Sequence, residues 1–356
     1  MRSQVYEGIE TVDQELWDRL TRGYPYAGWR WCRYGEVAVN HRGYYLLAYE
    51  GDELVGGAAF FVLHDEIIPT TNPLLRRLLR SYLSWRPLVV TRTATGTDHK
   101  GLFLPSDPAQ RAGVLEEIRR VAVEITRKHR GSFYMADYLN EWELDYPWGD
   151  FFTIRDFTHI GTRMAVEWTT FDEYLAELKA RNKKQHKNVR NNTRYAQDLG
   201  ITVSFAHQTP PVDEVLRLVR IKNEHYKVPF RASDITSIID GLPMLKEQNV
   251  IWVTAHKDGQ LAACELLLFD DENRVCKPTV YGRDYRIDYV YFYMSYEDIR
   301  YAIEELRAKT IIYDTEAYEF KHRIGFEDDS RNHLVLCPSS PLERKLVGWL
   351  MKYMDA

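Results

Sequence analysis

One stretch of this chain is written twice. Tyr45-Leu-Leu-Ala48-Tyr-Glu-Gly51-Asp52-Glu-Leu54-Val-Gly-Gly57 returns as Trp252-Val-Thr-Ala255-His-Lys-Asp258-Gly259-Gln-Leu261-Ala-Ala-Cys264. The second copy matches the first without a gap, at a constant offset of about 207 residues. Each copy reads as an apolar strand, a tight turn on Gly51-Asp52 or Asp258-Gly259, and a second apolar strand. The segments downstream of each copy also recur in order. Glu117-Ile-Arg119 opens a helical run ending near Arg130, and a strand over 132–137 comes next. Asp298-Ile-Arg300 opens a run ending near Lys309, followed by the strand Thr310-Ile-Ile-Tyr-Asp314. Hairpins with such turns are common, so the match alone carries little. The helix and strand in the same order favour a duplicated domain, with a ligand in or beside the cleft between two similar halves.

At 356 residues the chain has room for two domains. Hydrophobic residues make up 45% and charged residues 28%, the balance of a soluble globular protein. The 24 Tyr, 14 Phe and 9 Trp favour aromatic clusters and clefts with stacking walls. A net charge of −5 excludes a surface that coats nucleic acid but leaves room for a local basic patch. Cys32, Cys264, Cys276 and Cys337 form no CxxC pair and no zinc spacing, so no metal is expected. Scattered thiols, no apolar signal core and no run of membrane-spanning length predict a cytoplasmic chain. A monomer is expected.

Helices are predicted over 12–22, 74–82 (basic and apolar), from Asp107-Pro108 to Arg130, over 210–226 and over 233–246. A tail helix is predicted over 342–354. Strands are predicted over 86–90, 164–168, 201–205 and 275–281. Residues 142–157 read as aromatic and irregular, and the halves are expected to part near 163–170. Thr170-Phe-Asp-Glu173 is a capping box that opens one long helix, closed by Gly200.

That helix carries the densest positive stretch, Arg181-Asn-Lys-Lys-Gln-His-Lys187-Asn-Val-Arg190-Asn-Asn-Thr-Arg194. Lys183, Lys187, Arg190 and Arg194 recur at three- and four-residue intervals and share one face. An anion would relieve their mutual repulsion, and Arg and Lys both suit phosphate. The plainer reading is a solvated face balanced by Asp172, Glu173 and Glu177. Those acids sit over a turn away, which tips the balance toward phosphate binding.

Near the end of the second repeat stands Glu316-Ala-Tyr-Glu-Phe320-Lys321-His-Arg-Ile324-Gly325-Phe326. Burial of Phe320 and Phe326 would fix Lys321 between them, ready to stabilise a phosphate or an acyl-transfer oxyanion. From spacing alone, an ordinary helix and Gly turn with an exposed Lys321 is the better reading.

These residues resemble a known family. A hairpin–helix–strand unit present twice resembles a double GNAT acyltransferase fold. Arg190-x-Asn192-x-Arg194-x-Ala196 with Gly200-Ile-x-Val203 is similar to a stretch of FemAB/FemX-like proteins. Phe320-Lys321-His-Arg-Ile324-Gly325-Phe326 resembles their Phe-Lys-x-x-Phe-Gly element, with Ile324 in place of Phe. The resemblance spans about residues 10–337. It implies an α/β (α+β) chain of two tandem GNAT-like domains, 1–165 and 166–356, each a mixed sheet flanked by helices. It implies transfer of an aminoacyl group from aminoacyl-tRNA, as co-substrate rather than cofactor, to an amine acceptor such as a cell-wall precursor. Arg190, with Lys187 and Arg194, would hold an anionic part of the acceptor. Phe320 and Lys321 would line the channel for the tRNA 3′ end, with Lys321 stabilising charge. Tyr281 and Arg283 complete the expected substrate-binding residues. Acyl-CoA is the alternative donor, yet Gly282-Arg-Asp-Tyr-Arg-Ile-Asp-Tyr289 lacks the second glycine of a pyrophosphate loop. A non-catalytic double-GNAT binding protein is the second alternative. No GxSxG or Ser/Cys–His arrangement points to an acyl-enzyme, so direct attack by the amine is expected. Asp314, at a strand end, is the candidate base.

Overall fold

The computed structural model of the protein describes residues 1–64, 73–93, 99–149, 151–154, 161–313 and 317–354. Two compact units emerge, one of residues 1–160 with 330–356, the other of residues 161–329.

The first unit opens with β1 (Arg2–Glu7), α1 (Gln14–Leu20), α2 (Trp29–Val39) and the hairpin β2 (Tyr44–Glu50) and β3 (Glu53–Leu63). Then come α3 (Pro73–Trp85), β4 (Leu88–Thr91), β5 (Leu102–Phe103), α4 (Pro108–Lys128), β6 (Phe133–Leu139) and β7 (Phe152–Ile154). The second unit holds β8 (Thr162–Ala165), α5 (Phe171–Arg181), α6 (Lys183–Asp198), β9 (Thr202–Ala206), α7 (Val212–Tyr226) and α8 (Ala232–Gly241). Its hairpin, β10 (Val250–Lys257) and β11 (Gln260–Asp270), leads to β12 (Val275–Arg283), α9 (Val290–Glu304), β13 (Thr310–Tyr313), α10 (Tyr318–Ile324) and β14 (Glu327–Asp328). The chain then returns to the first unit with β15 (His333–Pro338) and α11 (Pro341–Met354).

The repeat is real at the level of single hydrogen-bonded pairs. Ala48 faces Gly56 in the first hairpin, and Ala255 faces Ala263 in the second. Tyr44 faces Phe60 as Ile251 faces Leu267. Both hairpins carry a register shift at the same place, after Ala48 and after Ala255. A one-residue slip would turn every core side chain outward, so a shared bulge means a shared register.

The two sheets also follow one plan. The first runs β1-β2-β3-β4-β6-β15-β7, with β5 paired to β3. The second, read from its far edge, runs β9-β10-β11-β12-β13-β8-β14. In each, a parallel pair, β4 with β6 or β12 with β13, follows three antiparallel strands, with α4 or α9 as crossover. In the first unit α4 covers one face through Val114, Ile118, Val121 and Ile125. In the second, α5, α6 and α9 share one core with Ile251, Val253, Leu267 and Phe269.

The expected domain line at 165/166 is corrected at both ends. β8 pairs with β13 and belongs to the second unit from residue 161, whereas β15 pairs with β6 and β7 and belongs to the first. The single long helix expected after Thr170 is two. Asn182 leaves helical geometry, and its side chain accepts from the Gln185 amide at 3.0 Å, closing α5 and capping α6. β1, β7 and β15 were not anticipated, and the helix expected over 233–246 stops at Gly241.

Candidate active site in the second unit

β12 and β13 are parallel neighbours for only two residues. Val275 pairs with Thr310 and Cys276 with Ile311. Beyond them β12 runs on to Arg283 beside β11 alone, while β13 continues beside β8. The two strands therefore part within the sheet. A register shift at Leu266/Leu267 bulges β12 at this level and leaves Glu265 facing Tyr281 and Ala263 facing Arg283. Ala263 and Leu267 lie in the core beneath α9, and strand alternation puts Glu265 on that same face.

Glu265 is 8% exposed and meets Asp298 of α9, 3% exposed. Burial first, and then the neighbouring Glu265 carboxyl, push Asp298 well above the usual carboxylate range. Two buried carboxyl groups this close oppose each other's ionisation, which favours a neutral Asp298. The Tyr313 hydroxyl donates to Asp298 Oδ2 at 3.5 Å. Burial raises Tyr281 and Tyr313 well above the ordinary phenol value, so both stay protonated.

Lys321 stands close by on α10. This short helix is capped by Ala317 (φ 50°) before it and Gly325 (φ 109°) after it, the latter a left-handed position that suits glycine. The Tyr174 hydroxyl donates to the Ile324 carbonyl at 2.7 Å, and Ile324 and Phe326 are buried. Phe326 stacks on Tyr313 at 4.6 Å. Lys321 is thereby drawn inward, 5% exposed, with Nζ 5.7 Å from the Tyr313 ring and 6.0 Å from that of Tyr318. The exposed lysine favoured by spacing alone is corrected. Ile324, which departs from the family's Phe, fills a fully buried site.

Tyr291 of α9 gathers three of the expected substrate-binding residues. Its ring lies 5.9 Å from Tyr281, 5.1 Å from the Arg283 guanidinium and 5.4 Å from Phe320. Phe320 also touches Phe292 and Tyr296, at 5.1 and 6.1 Å. Tyr281, Arg283 and Phe320 thus come together around Tyr291, while Lys321 lies against Tyr313 and Tyr318. Asp314 lies outside the described residues.

Lys187, Arg190 and Arg194 are set apart, on the exposed side of α6, while Gln185, Val189 and Ala196 face inward. Arg194 lies 5.2 Å from the Tyr195 ring. Two of the acids expected to balance this row are committed elsewhere. Glu173 accepts from the Thr169 and Thr170 amides, and Glu177 accepts from Trp168 Nε1 at 2.8 Å. Asn192, the middle residue of the Arg-x-Asn-x-Arg motif, turns inward and donates to the Tyr296 hydroxyl at 3.3 Å. It ties the basic helix to the wall beside Phe320.

Between β12 and α9, where a phosphate cradle would need backbone amides, a carboxylate is already present. Asp284 accepts from the Arg286 amide at 3.0 Å and from its guanidinium Nε at 2.9 Å. The Arg286 hydrogen bonds pull Asp284 down to about 2.

In the first unit the pair Ala58–Leu102 stands where Glu265–Tyr281 stands in the second. Sequence reasoning passed over Glu265 and Asp298. The signal was a lone carboxylate inside the apolar strand Leu261-Ala-Ala-Cys-Glu265-Leu-Leu-Leu-Phe269.

No family model matches the chain, and no curated protein does either. Solved structures do. The chain is similar to the crystal structure of FemX, with a TM-score of 0.62 at 12% identity over 94% of this chain and 97% of that one. It is similar to a tandem GNAT protein from the clavulanic acid biosynthesis pathway, with a TM-score of 0.55 at 12% identity over 96% and 99%. L-PGS from Bacillus licheniformis is similar at 0.50 and 8% identity, over 91% of each chain. The protein has the FemX-like double GNAT fold.

Proposed function

We propose that this protein is an N-acyltransferase that carries out its chemistry in the second unit, moving an aminoacyl group from aminoacyl-tRNA to an amine. The parting of β12 from β13 carries this reading. It separates two strands of the sheet: Glu265 faces Tyr281 on the β11–β12 side, and Tyr313 of β13 meets both Asp298 and the buried Lys321. The likeness to FemX and to a tandem GNAT protein across nearly the whole chain supports the acyltransferase class.

The chemistry balances with these residues. The neutral amine nitrogen attacks the ester carbonyl carbon. Negative charge gathers on the carbonyl oxygen, where Lys321 stabilises it. The new C–N bond forms, the ester C–O bond breaks, and the ribose oxygen leaves with a proton given up by the Glu265–Asp298 pair. The nitrogen's surplus proton passes to the Glu265–Asp298 pair. Phe320, Tyr291 and Tyr281 offer flat surfaces for a terminal base or an acyl side chain. Lys187, Arg190 and Arg194 hold the acceptor's anionic part.

Acyl-CoA is the second reading, favoured by the likeness to the tandem GNAT protein, whose structure is described as being without AcCoA. The Asp284 carboxylate between β12 and α9 weighs against a pyrophosphate there. The test is to offer labelled aminoacyl-tRNAs and acyl-CoA separately, each with amine acceptors. Activity destroyed by RNase supports the tRNA donor. Thiol release that survives RNase overturns it in favour of acyl-CoA. Transfer from neither would leave a binding protein.

A further inference from the structure

Two adjoining helices of the first unit hold apolar side chains out in solvent. α3 turns Leu83 into a core with Phe61, Val90 and Met135. Its other side presents Leu74, Leu78 and Trp85, at 72%, 67% and 76% exposure. Their spacing of four and seven residues keeps them on one stripe. α11 repeats the arrangement. Val347 is buried, while Leu342 and Trp349, two turns apart, are 77% and 51% exposed. The Tyr82 hydroxyl donates to Glu343 Oε1 at 2.8 Å and Arg86 pairs with that carboxylate at 2.7 Å, so the two helices meet. Among the described residues, the other exposed leucine and tryptophan are Leu199 and Trp142, each on a different element. Leu and Trp are therefore concentrated on this one part of the surface.

The charge here is also distinctive. Residues 73–86 contain Arg76, Arg77, Arg80 and Arg86 and no acid, in a chain of net charge −5. Arg77 is exposed beside the Leu74–Leu78 stripe, and Lys345 is exposed on the turn between Leu342 and Trp349. Exposed Leu and Trp flanked by cations is the composition of a helix lying in the headgroup layer of a bilayer. RNA would meet the arginines but gain nothing from the leucines. A second copy would set like charges against each other.

We propose that α3 and α11 form a docking surface for an anionic phospholipid bilayer, with Leu74, Leu78, Trp85, Leu342 and Trp349 entering the headgroup boundary. Arg77 and Lys345 meet the lipid phosphates. No helix among the described residues is long and apolar enough to cross a membrane.

Flotation of the full chain with vesicles tests this directly. The chain should float with phosphatidylcholine vesicles containing phosphatidylglycerol, far less with phosphatidylcholine alone, and less as salt is raised. Leu78→Glu with Trp85→Glu should lower vesicle affinity about tenfold or more, while Arg77→Glu should lower it about fivefold. Circular dichroism melting checks that the variants fold, and Leu78→Ser with Trp85→Ser serves if the glutamates do not. Failure of the wild type to float with phosphatidylglycerol vesicles overturns the proposal, as does undiminished binding by folded Leu78/Trp85 variants. A patch that ignores vesicles and binds RNA through Arg77 overturns it too. So does a dimer that ignores vesicles and is split by Leu78→Glu. None of these outcomes depends on which acyl donor the second unit uses.

Discussion

In the proposed reaction, Lys321 answers for charge on oxygen and the Glu265–Asp298 pair for a proton on nitrogen. If Lys321 acts on the transition state, Lys321→Met should lower kcat by roughly two to three orders of magnitude and leave the acceptor KM nearly unchanged. Lys321→Arg should restore only part, because a planar guanidinium does not replace a point charge. Steady-state kinetics checks both, and wild-type turnover in Lys321→Met would remove the residue from the chemistry. Asp298 makes a prediction about pH. Its folded carboxyl is neutral at pH values where the unfolded chain's is charged, since burial raises it well above 3.8. Stability therefore declines as pH rises from that ordinary value toward the raised one. Asp298→Asn, which can still donate to Glu265, should melt at or above the wild-type temperature at neutral pH and lose about tenfold or more in kcat. A variant that melts earlier and turns over normally would make the pair a purely structural one. The sequence showed Lys321 by its motif but not its burial, which depends on Tyr313 and Phe326 closing over it from elements with their own placement. Glu265 was visible as a carboxylate in a greasy strand. Its partner on α9 was not, because nothing local links residues 265 and 298.

At the scale of elements, turn chemistry and capping were the legible features. The two hairpins, the Asp107-capped helix and the Thr170 capping box each arise from a few adjacent residues. The break at Asn182 escaped notice because one capping side chain, without glycine or proline, is enough to end one helix and begin the next. α6 then carries its cations outward as the three- and four-residue spacing required. Arg190→Ala should raise the acceptor KM about tenfold with a melting temperature close to wild type, because the residue is exposed. An unchanged KM would return this face to the solvent. A second element-level prediction concerns α7 against β12. A Cβ on Gly282 would sit 2.5 Å from the Val219 amide nitrogen, so the helix backbone rests directly on the strand. Gly282→Val should cost about 1–3 kcal/mol and lower the melting temperature. A variant as stable as wild type would show that α7 yields easily.

For the molecule as a whole, the repeat was readable and the exchange at its ends was not. A strand inserted between two others, nearly two hundred residues away in the chain, leaves no local trace, and β15 looks like any short apolar run. A chain ending after Asp329 lacks the strand between β6 and β7. Limited proteolysis of that truncation should leave residues 161–329 resistant and cut the region before them. Equal resistance of both parts would mean that the first unit closes without β15. The same arrangement bears on how the protein is made. On the ribosome, residues 161–329 emerge as a complete set of strands while the unit begun earlier still waits for its sixth strand in sheet order. Through that interval β6, with Tyr134, Met135 and Ala136 along it, presents an unpaired edge. The N-terminal unit thus finishes after the second, and the nascent chain depends on keeping that edge from the wrong partner until β15 is synthesised.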